Sequence, residues 1–198
     1  MEMTEAQATA TSFEGQRISI TTSRSFDDVL ARLRQLIGTH SWSSTPAAMR
    51  ELGGANQANF ETIVRSRLGP SEFMLFHEIN HSQWLPIYGI KRRVLRLIFG
   101  NPIIAFTMMR DDLTAGLFAP VEILLVEGDD AKGCTVAYIL PSSLVAAANP
   151  SLLAAARQLD RKLDALISGA TGVGSPSATS PSTSRTVADE VRATTRRS

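Results

Sequence analysis

Cysteine is nearly absent. Cys134 stands alone in 198 residues, which excludes an internal disulfide and any zinc site built from several thiolates. The chain also lacks a surplus of either charge, its formal net charge being +1. A dedicated nucleic-acid binder needs a concentrated basic surface against phosphate, so no nucleic-acid partner is expected. Long hydrophobic runs are missing too. The longest, over 97–109, is interrupted by Gly100-Asn101-Pro102 and falls short of the about 20 residues that a membrane-spanning helix requires. The first residues, Met1-Glu2-Met3-Thr4-Glu5, are acidic and contain no apolar stretch of the kind a secretory signal carries, so a cytoplasmic location is expected. No Gly-rich phosphate loop, nucleophile elbow or Cys-His pairing is found, and no cofactor is expected.

What is present reads as one ordinary domain with tails. The chain is 43% hydrophobic, enough for a single core. Residues 1–15 are small and polar, and from Gly169 onward Gly, Ser, Thr and Pro dominate. Such segments bury too little apolar surface to offset chain entropy, so disordered tails are expected over 1–15 and 169–198, around a domain at 16–168.

Inside that domain, Arg17-Ile18-Ser19-Ile20-Thr21 alternates polar and apolar as a half-buried strand does. Ser25 has the character of an N-cap, and Phe26, Val29, Leu30, Leu33, Leu36 and Ile37 follow at helical spacing up to Gly38. Thr45-Pro46 and Gly53-Gly54 bracket a short helix, and Phe60, Ile63, Val64 and Leu68 mark another that stops at Gly69-Pro70. Aromatic and aliphatic density predicts strands over 72–81 and 93–99. Asn101 can cap, and Pro102 can open, a helix over 103–111 that is apolar nearly all round; such a helix is expected to be buried on more than one side, inside the domain or against a partner subunit. A hairpin over 121–140 and a long amphipathic helix after Asn149-Pro150 complete the order β-α-(αα)-β-β-α-β-β-α. Hairpins with interspersed helices predict the α+β class, an antiparallel sheet with helices packed on one face. Strict alternation would turn Phe73, Leu75, His77 and Ile79 one way and Met74 and Phe76 the other. Neither side is polar enough to be simply solvated, which implies a homodimer or a lined cavity.

Gly100-Asn101-Pro102, Leu117-Phe118-Ala119-Pro120-Val121 and the strand ending at Val126-Glu127 resemble the family catalogued as domain of unknown function 302. The resemblance spans about 17–166. It implies a compact α+β fold, TATA-binding-protein-like in outline and dimeric, with no established activity, cofactor or catalytic residue. Many members carry cysteine where this chain has Val121, and often an acidic residue where it has Asn80. Thiol chemistry at the first position is therefore absent here.

One motif suggests a metal. His77-Glu78-Ile79-Asn80-His81 matches the pattern in which two histidines one helical turn apart bind zinc and the glutamate activates water. On a strand the imidazoles would stand roughly 13 Å apart at about 3.3 Å per residue, and zinc ligands lie about 2 Å from the ion. No metal site is expected. The remaining candidates are His77, Glu78, His81 and Arg110 for proton transfer, and Phe73, Leu75, His77, Phe106 and Met109 for lining an apolar site. Lys91, Arg92, Arg93 and Arg96, near Trp84 and Tyr88, form the densest basic cluster; strand alternation divides it into a solvated edge guarded by cations. The favoured function is binding of a small apolar or amphipathic ligand in a cavity between sheet and helices or at a dimer interface. The alternatives are a metal- and cofactor-independent isomerase, cyclase or hydrolase using these residues, and a structural dimerisation module.

Overall fold

The computed structural model describes residues 8–10, 12–38, 56–145 and 149–174; the short helix expected over 45–54 lies outside them. Strand β1 (Arg17–Thr22) leads to helix α1 (Phe26–Ile37). The Ser25 hydroxyl accepts the Asp28 amide at 3.1 Å, and Asp27 and Asp28 in the first turn face the positive end of the helix dipole. Helix α2 (Gln57–Arg67) is capped by Asn56 and fully buries only Val64. Strands β2 (Met74–Asn80) and β3 (Val94–Gly100) are joined by two short 3-10 turns, His81–Gln83 and Leu85–Tyr88. Helix α3 (Pro102–Met109) follows, then β4 (Val121–Glu127), β5 (Cys134–Ile139) and the long helix α4 (Pro150–Thr171).

All pairings are antiparallel and give one five-stranded sheet in the order β1-β5-β4-β3-β2. This is the α+β arrangement the hairpin pattern predicts. Period-two alternation sends Leu95, Leu97, Phe99, Ile123, Leu125, Val136 and Tyr138 to one face, where each is buried. Helices α1 and α4 cover that face with Val29, Leu33, Ile37, Ala156, Leu163 and Ile167, all at 1% exposure or less. Each fully buried aliphatic side chain contributes roughly 1.5–3 kcal/mol from removal of apolar area from water. The middle of the covered face is therefore filled by side chains.

Helix α4 continues through Gly169 to Thr171, past the composition change, because Ala170 is buried on the core. There the Thr171 carbonyl accepts the Thr22 hydroxyl at 2.9 Å, and Gly172 at φ 74° ends the helix. Ahead of β1, the Gln16 amide donates to the Ser143 hydroxyl, and Phe13 meets Phe118 edge-on at 6.1 Å.

Strand β2 departs from simple alternation. Leu75 pairs with Phe99 but His77 pairs with Ile98, so Phe76 is an extra residue in a β-bulge. Leu75 stays on the covered side with Phe99, while His77 and Ile79 turn to the open face beside Ile98 and Arg96. The expected common face of Phe73, Leu75, His77 and Ile79 is thereby broken.

Between α2 and β2 the chain crosses the end of α1. The Ser71 amide and hydroxyl both donate to the Leu36 carbonyl, at 3.0 and 2.9 Å, satisfying an acceptor the helix end leaves open. The approach is so close that a Cβ on Gly69 would lie 2.3 Å from the Ile37 carbonyl carbon. At Gly89, φ is +79° but the space around it is open. Gly69→Ala is expected to cost about 3 kcal/mol, since backbone must move, and Gly89→Ala only about 1 kcal/mol for its left-handed backbone. Urea denaturation checks the order; equal losses would remove the crossing as the constraint.

Candidate functional site

The site begins with the capping of α3. Asn101 is 8% exposed; its side-chain oxygen accepts the Ile103 amide at 2.9 Å and its amide nitrogen donates to the Glu72 carbonyl at 2.9 Å. That pair of bonds fixes the start of α3 to the turn before β2. Pro102 fills the first helical position, where its missing N–H costs nothing. The helix is apolar on every side, yet only Met108 is fully buried, and Phe106 is 60% exposed. The burial expected on more than one side is not met among the described residues, where α4 takes one flank and the other borders a groove.

The open flank forms a groove of about 600 Å³ against α2. Phe60 from α2 faces Ile103, Phe106 and Met109 from α3, with Leu113 at one end. The polar groups are at the margin: Gln57 and Glu61 on α2, and Arg110 at the C-cap of α3. Hydrogen bonds from Gln57 and then Arg65 hold the Glu61 carboxyl below its ordinary range, so it stays ionised and occupied. Arg110 makes no ion pair among the described residues. An apolar trough with one uncommitted guanidinium can hold an apolar body and one acidic group.

A second, smaller cavity of about 190 Å³ lies on the other side of Ala105, where Phe76, Gly100, Pro120, Val121 and Leu159 meet. The Asn-Pro and Ala-Pro-Val segments thus converge in space. A Cβ at Gly100 would come within 3.0 Å of the Phe76 ring, so glycine here makes room for the bulged phenylalanine. The Ala119–Pro120 peptide is cis.

Of the sequence candidates, Phe106, Met109 and Arg110 come together in the groove; the others scatter. Phe73 is fully buried, packed edge-on to Phe99 at 5.3 Å. Leu75 is half-buried against the same core. His77 is exposed on the open face. Glu78 lies on the covered side, gripped by Arg34 through bonds of 2.9 and 2.6 Å, and this carboxylate raises the Arg34 pKa. His81 begins a 3-10 turn with its ring edge-on to Trp84 at 5.8 Å. The two histidines and the glutamate of the zinc-like motif therefore do not converge, because the segment is a strand with His77 and Glu78 on opposite faces. Among the described residues, no group of three or more His, Cys, Asp or Glu side chains is placed to hold a metal ion. Burial pushes the Cys134 thiol up to about 11, so it is a core side chain and not a thiolate nucleophile.

Sequence reasoning did not assign Gln57, Glu61 or Leu113 to a site; it placed Phe60 on the apolar stripe of its helix and Ile103 at the start of the helix apolar nearly all round. The available signal was a helix apolar all round beside a neighbour, α2, with a weak apolar stripe. Two such elements cannot bury each other's faces completely.

The basic cluster is mostly neutralised. Arg92 pairs with Asp129 at 2.9 Å, Arg96 with Glu122, and Arg93 with Asp27 at 2.6 Å and Glu127 at 2.8 Å. Arg93 also stacks over the Phe26 ring at 4.4 Å.

Residues 55–170 match the family described as Domain of unknown function DUF302. Among solved structures, the uncharacterized conserved protein DUF302 from Bacillus stearothermophilus is similar, with a TM-score of 0.52 at 15% identity, over 78% of this chain and 97% of that one. At that identity the likeness is one of fold. No curated protein matches the chain.

The Arg93 network generates a pH dependence. Its guanidinium holds both Asp27 and Glu127 below their ordinary values. Carboxylates depressed in the folded state add stability that is complete above the unfolded value and fades as pH falls through the folded one. Arg93→Gln is therefore expected to lower stability most near neutrality, with the gap to wild type shrinking in acid below the ordinary carboxylate range. Urea melts between neutral and acidic pH read this out, and a gap independent of pH would refute it.

Proposed function

The chain belongs to the Domain of unknown function DUF302 family, and we propose that on this fold it binds a small amphipathic molecule, apolar in body and acidic at one end, between α2 and α3. The observation that carries the reading is the apolar wall of Phe60, Ile103, Phe106 and Met109 beside Arg110, which has no carboxylate partner among the described residues. The apolar body would displace water from that wall at about 25 cal/mol per Å². The acidic group would gain a charge-assisted bond in a partly desolvated margin. Glu61 is already engaged with Gln57 and Arg65 and is left to orient α2.

The enzymatic alternative, an isomerase, cyclase or hydrolase working through His77, Glu78, His81 and Arg110, requires an acid and a base on one substrate. Glu78 is tied to Arg34 and faces away from His77, while Arg110 at the C-cap of α3 lines a groove that none of the other three lines. That separation favours binding over catalysis.

Homodimerisation is a second reading, favoured by the open sheet face. There Ile79, Ile98, Leu124 and Val126 are only partly buried around the Arg96–Glu122 pair, and two opposite charges at the centre of an apolar patch can exchange partners about a two-fold axis. Sedimentation velocity is expected to show a dimer that Leu124→Asp dissociates; a monomer at all concentrations defeats this reading.

For the groove, the probe is 8-anilinonaphthalene-1-sulfonate, an aromatic body with one anionic group, displaced by decanoate. Arg110→Gln is expected to weaken its binding about tenfold, the loss of one charge-assisted hydrogen bond, and Phe106→Ser to weaken it comparably with circular dichroism unchanged. Unaltered binding in both variants sinks the proposal. The control Ile87→Asp, far from the groove, should have no effect on the probe.

A further inference from the structure

The connection between β2 and β3 carries a second apolar feature that the groove does not use. Within seven residues it exposes Trp84, Ile87, Tyr88 and Ile90, with Ile87 at 79% and Tyr88 at 75% exposure. Soluble domains rarely concentrate large apolar side chains at a projecting tip without a partner surface.

The tip is built, not loose. The Asn80 side-chain oxygen accepts the Ser82 amide at 3.0 Å, and the Ser82 hydroxyl closes the base against Val94, accepting its amide at 2.8 Å. The Trp84 amide donates to the His81 carbonyl, the Ile87 amide to that of Trp84, the Gly89 amide to that of Pro86 and the Ile90 amide to that of Leu85. Pro86 has no donor to satisfy. Gly89, left-handed at φ 79°, lets the turn close on itself. Trp84 stands edge-on between His81 at 5.8 Å and Tyr88 at 6.2 Å, so the aromatic side chains are mutually braced. A segment whose backbone amides are satisfied internally can leave bulk water at little cost.

Cations form a collar at the base of this tip. Lys91 follows Ile90 directly, and Arg92, whose Nε donates to the Glu127 carbonyl at 2.7 Å, turns its Nη1 to an Asp129 that is 88% exposed. An exposed pair of that kind is weak and can give way to another anion.

We infer that the 84–92 tip docks the protein on an anionic lipid surface, with Ile87, Tyr88, Trp84 and Ile90 entering the headgroup boundary and Lys91 and Arg92 meeting phosphate. The composition selects the occupant. Trp and Tyr combine an apolar body with a polar end and sit at the level of lipid headgroups, while flanking Lys and Arg add attraction to anionic lipids. A protein partner would need a concave pocket matched to a convex tip; a bilayer interface needs only the tip. No described helix is long and apolar enough to span a membrane, so the contact is peripheral. This inference does not rest on the groove.

The test uses the full chain and vesicles of phosphatidylcholine with and without phosphatidylglycerol. Co-sedimentation is expected with the anionic vesicles, falling steeply as salt is raised. In a Trp42→Phe background, which leaves Trp84 as the remaining indole, its emission is expected to shift blue and to be quenched by brominated acyl chains. Ile87→Asp should reduce the bound fraction at least tenfold with an unchanged melting temperature, while Arg110→Gln should leave it intact. The inference is overturned by failure to bind anionic vesicles, by retention in Ile87→Asp, or by loss of binding in Arg110→Gln alone. It is equally overturned if Ile87→Asp dissolves a dimer in a protein that ignores vesicles, since the tip is then a protein seam.

Discussion

Sealing of one face of the sheet by α1 and α4 is the constraint from which the rest follows. Inward positions on β1, β3, β4 and β5 meet Val29, Leu33, Leu163 and Ile167 with almost no exposed area, so the interior is committed to stability. What the sandwich leaves uncommitted is the flank of α3, the small cavity beside Gly100, the open sheet face and the loops at the strand ends. The arrangement also explains why α2 is lightly held. With the covered face filled, it lies beside α3 and buries only Val64. A helix held by so little apolar burial belongs to the low-stability end of a fold.

The bulge at Phe76 is the second determinant, and it acts through phase. One extra residue in β2 reverses the side on which every later side chain of that strand emerges. Glu78 is thereby carried to the helix side, where Arg34 of α1 binds it with two hydrogen bonds, and His77 to the open face. The displaced Phe76 ring settles over Gly100, at the point where the Asn-Pro and Ala-Pro-Val segments meet. The residues through which the chain resembles its family thus serve a packing junction: a glycine admits a ring, an asparagine joins two elements, and a proline opens a helix.

Much of the fold was legible in the sequence because its elements announce their ends chemically. Ser25, Asn101 and Asn149 cap the helices they precede, Pro102 and Pro150 occupy first helical turns, and the hairpin turn between β4 and β5 falls at the glycines that bracket it. The bulge was not legible, since nothing in Met74-Leu75-Phe76-His77 distinguishes strict alternation from an inserted residue; the register is decided by β3. Of the groove's lining, Phe106 and Met109 were singled out as apolar lining and Arg110 for proton transfer, but the facing wall on α2 was not. Hydrophobic periodicity states how apolar a helix is and not how much of it the fold will cover. On α3 the two differ: all-round apolarity reads as burial, whereas the short helix meets α4 on one side and leaves Phe106 in water.

Two of the uncovered apolar features, the groove and the aromatic tip, stand at opposite ends of one strand. Met74 pairs with Gly100 at the α3 end of β2, and Asn80 pairs with Leu95 at the end that carries the aromatic tip. Seven extended residues place these ends roughly 20 Å apart at about 3.3 Å per residue. No side chain reaches across that span, and substitutions so far apart with no shared partner act additively. Occupation of the groove therefore has no direct electrostatic or steric route to the tip. Any coupling would have to pass through the paired strands β2 and β3, which β4 and the Arg34–Glu78 pair hold in place. The groove and the tip are thus separate surfaces at the two ends of one strand pair.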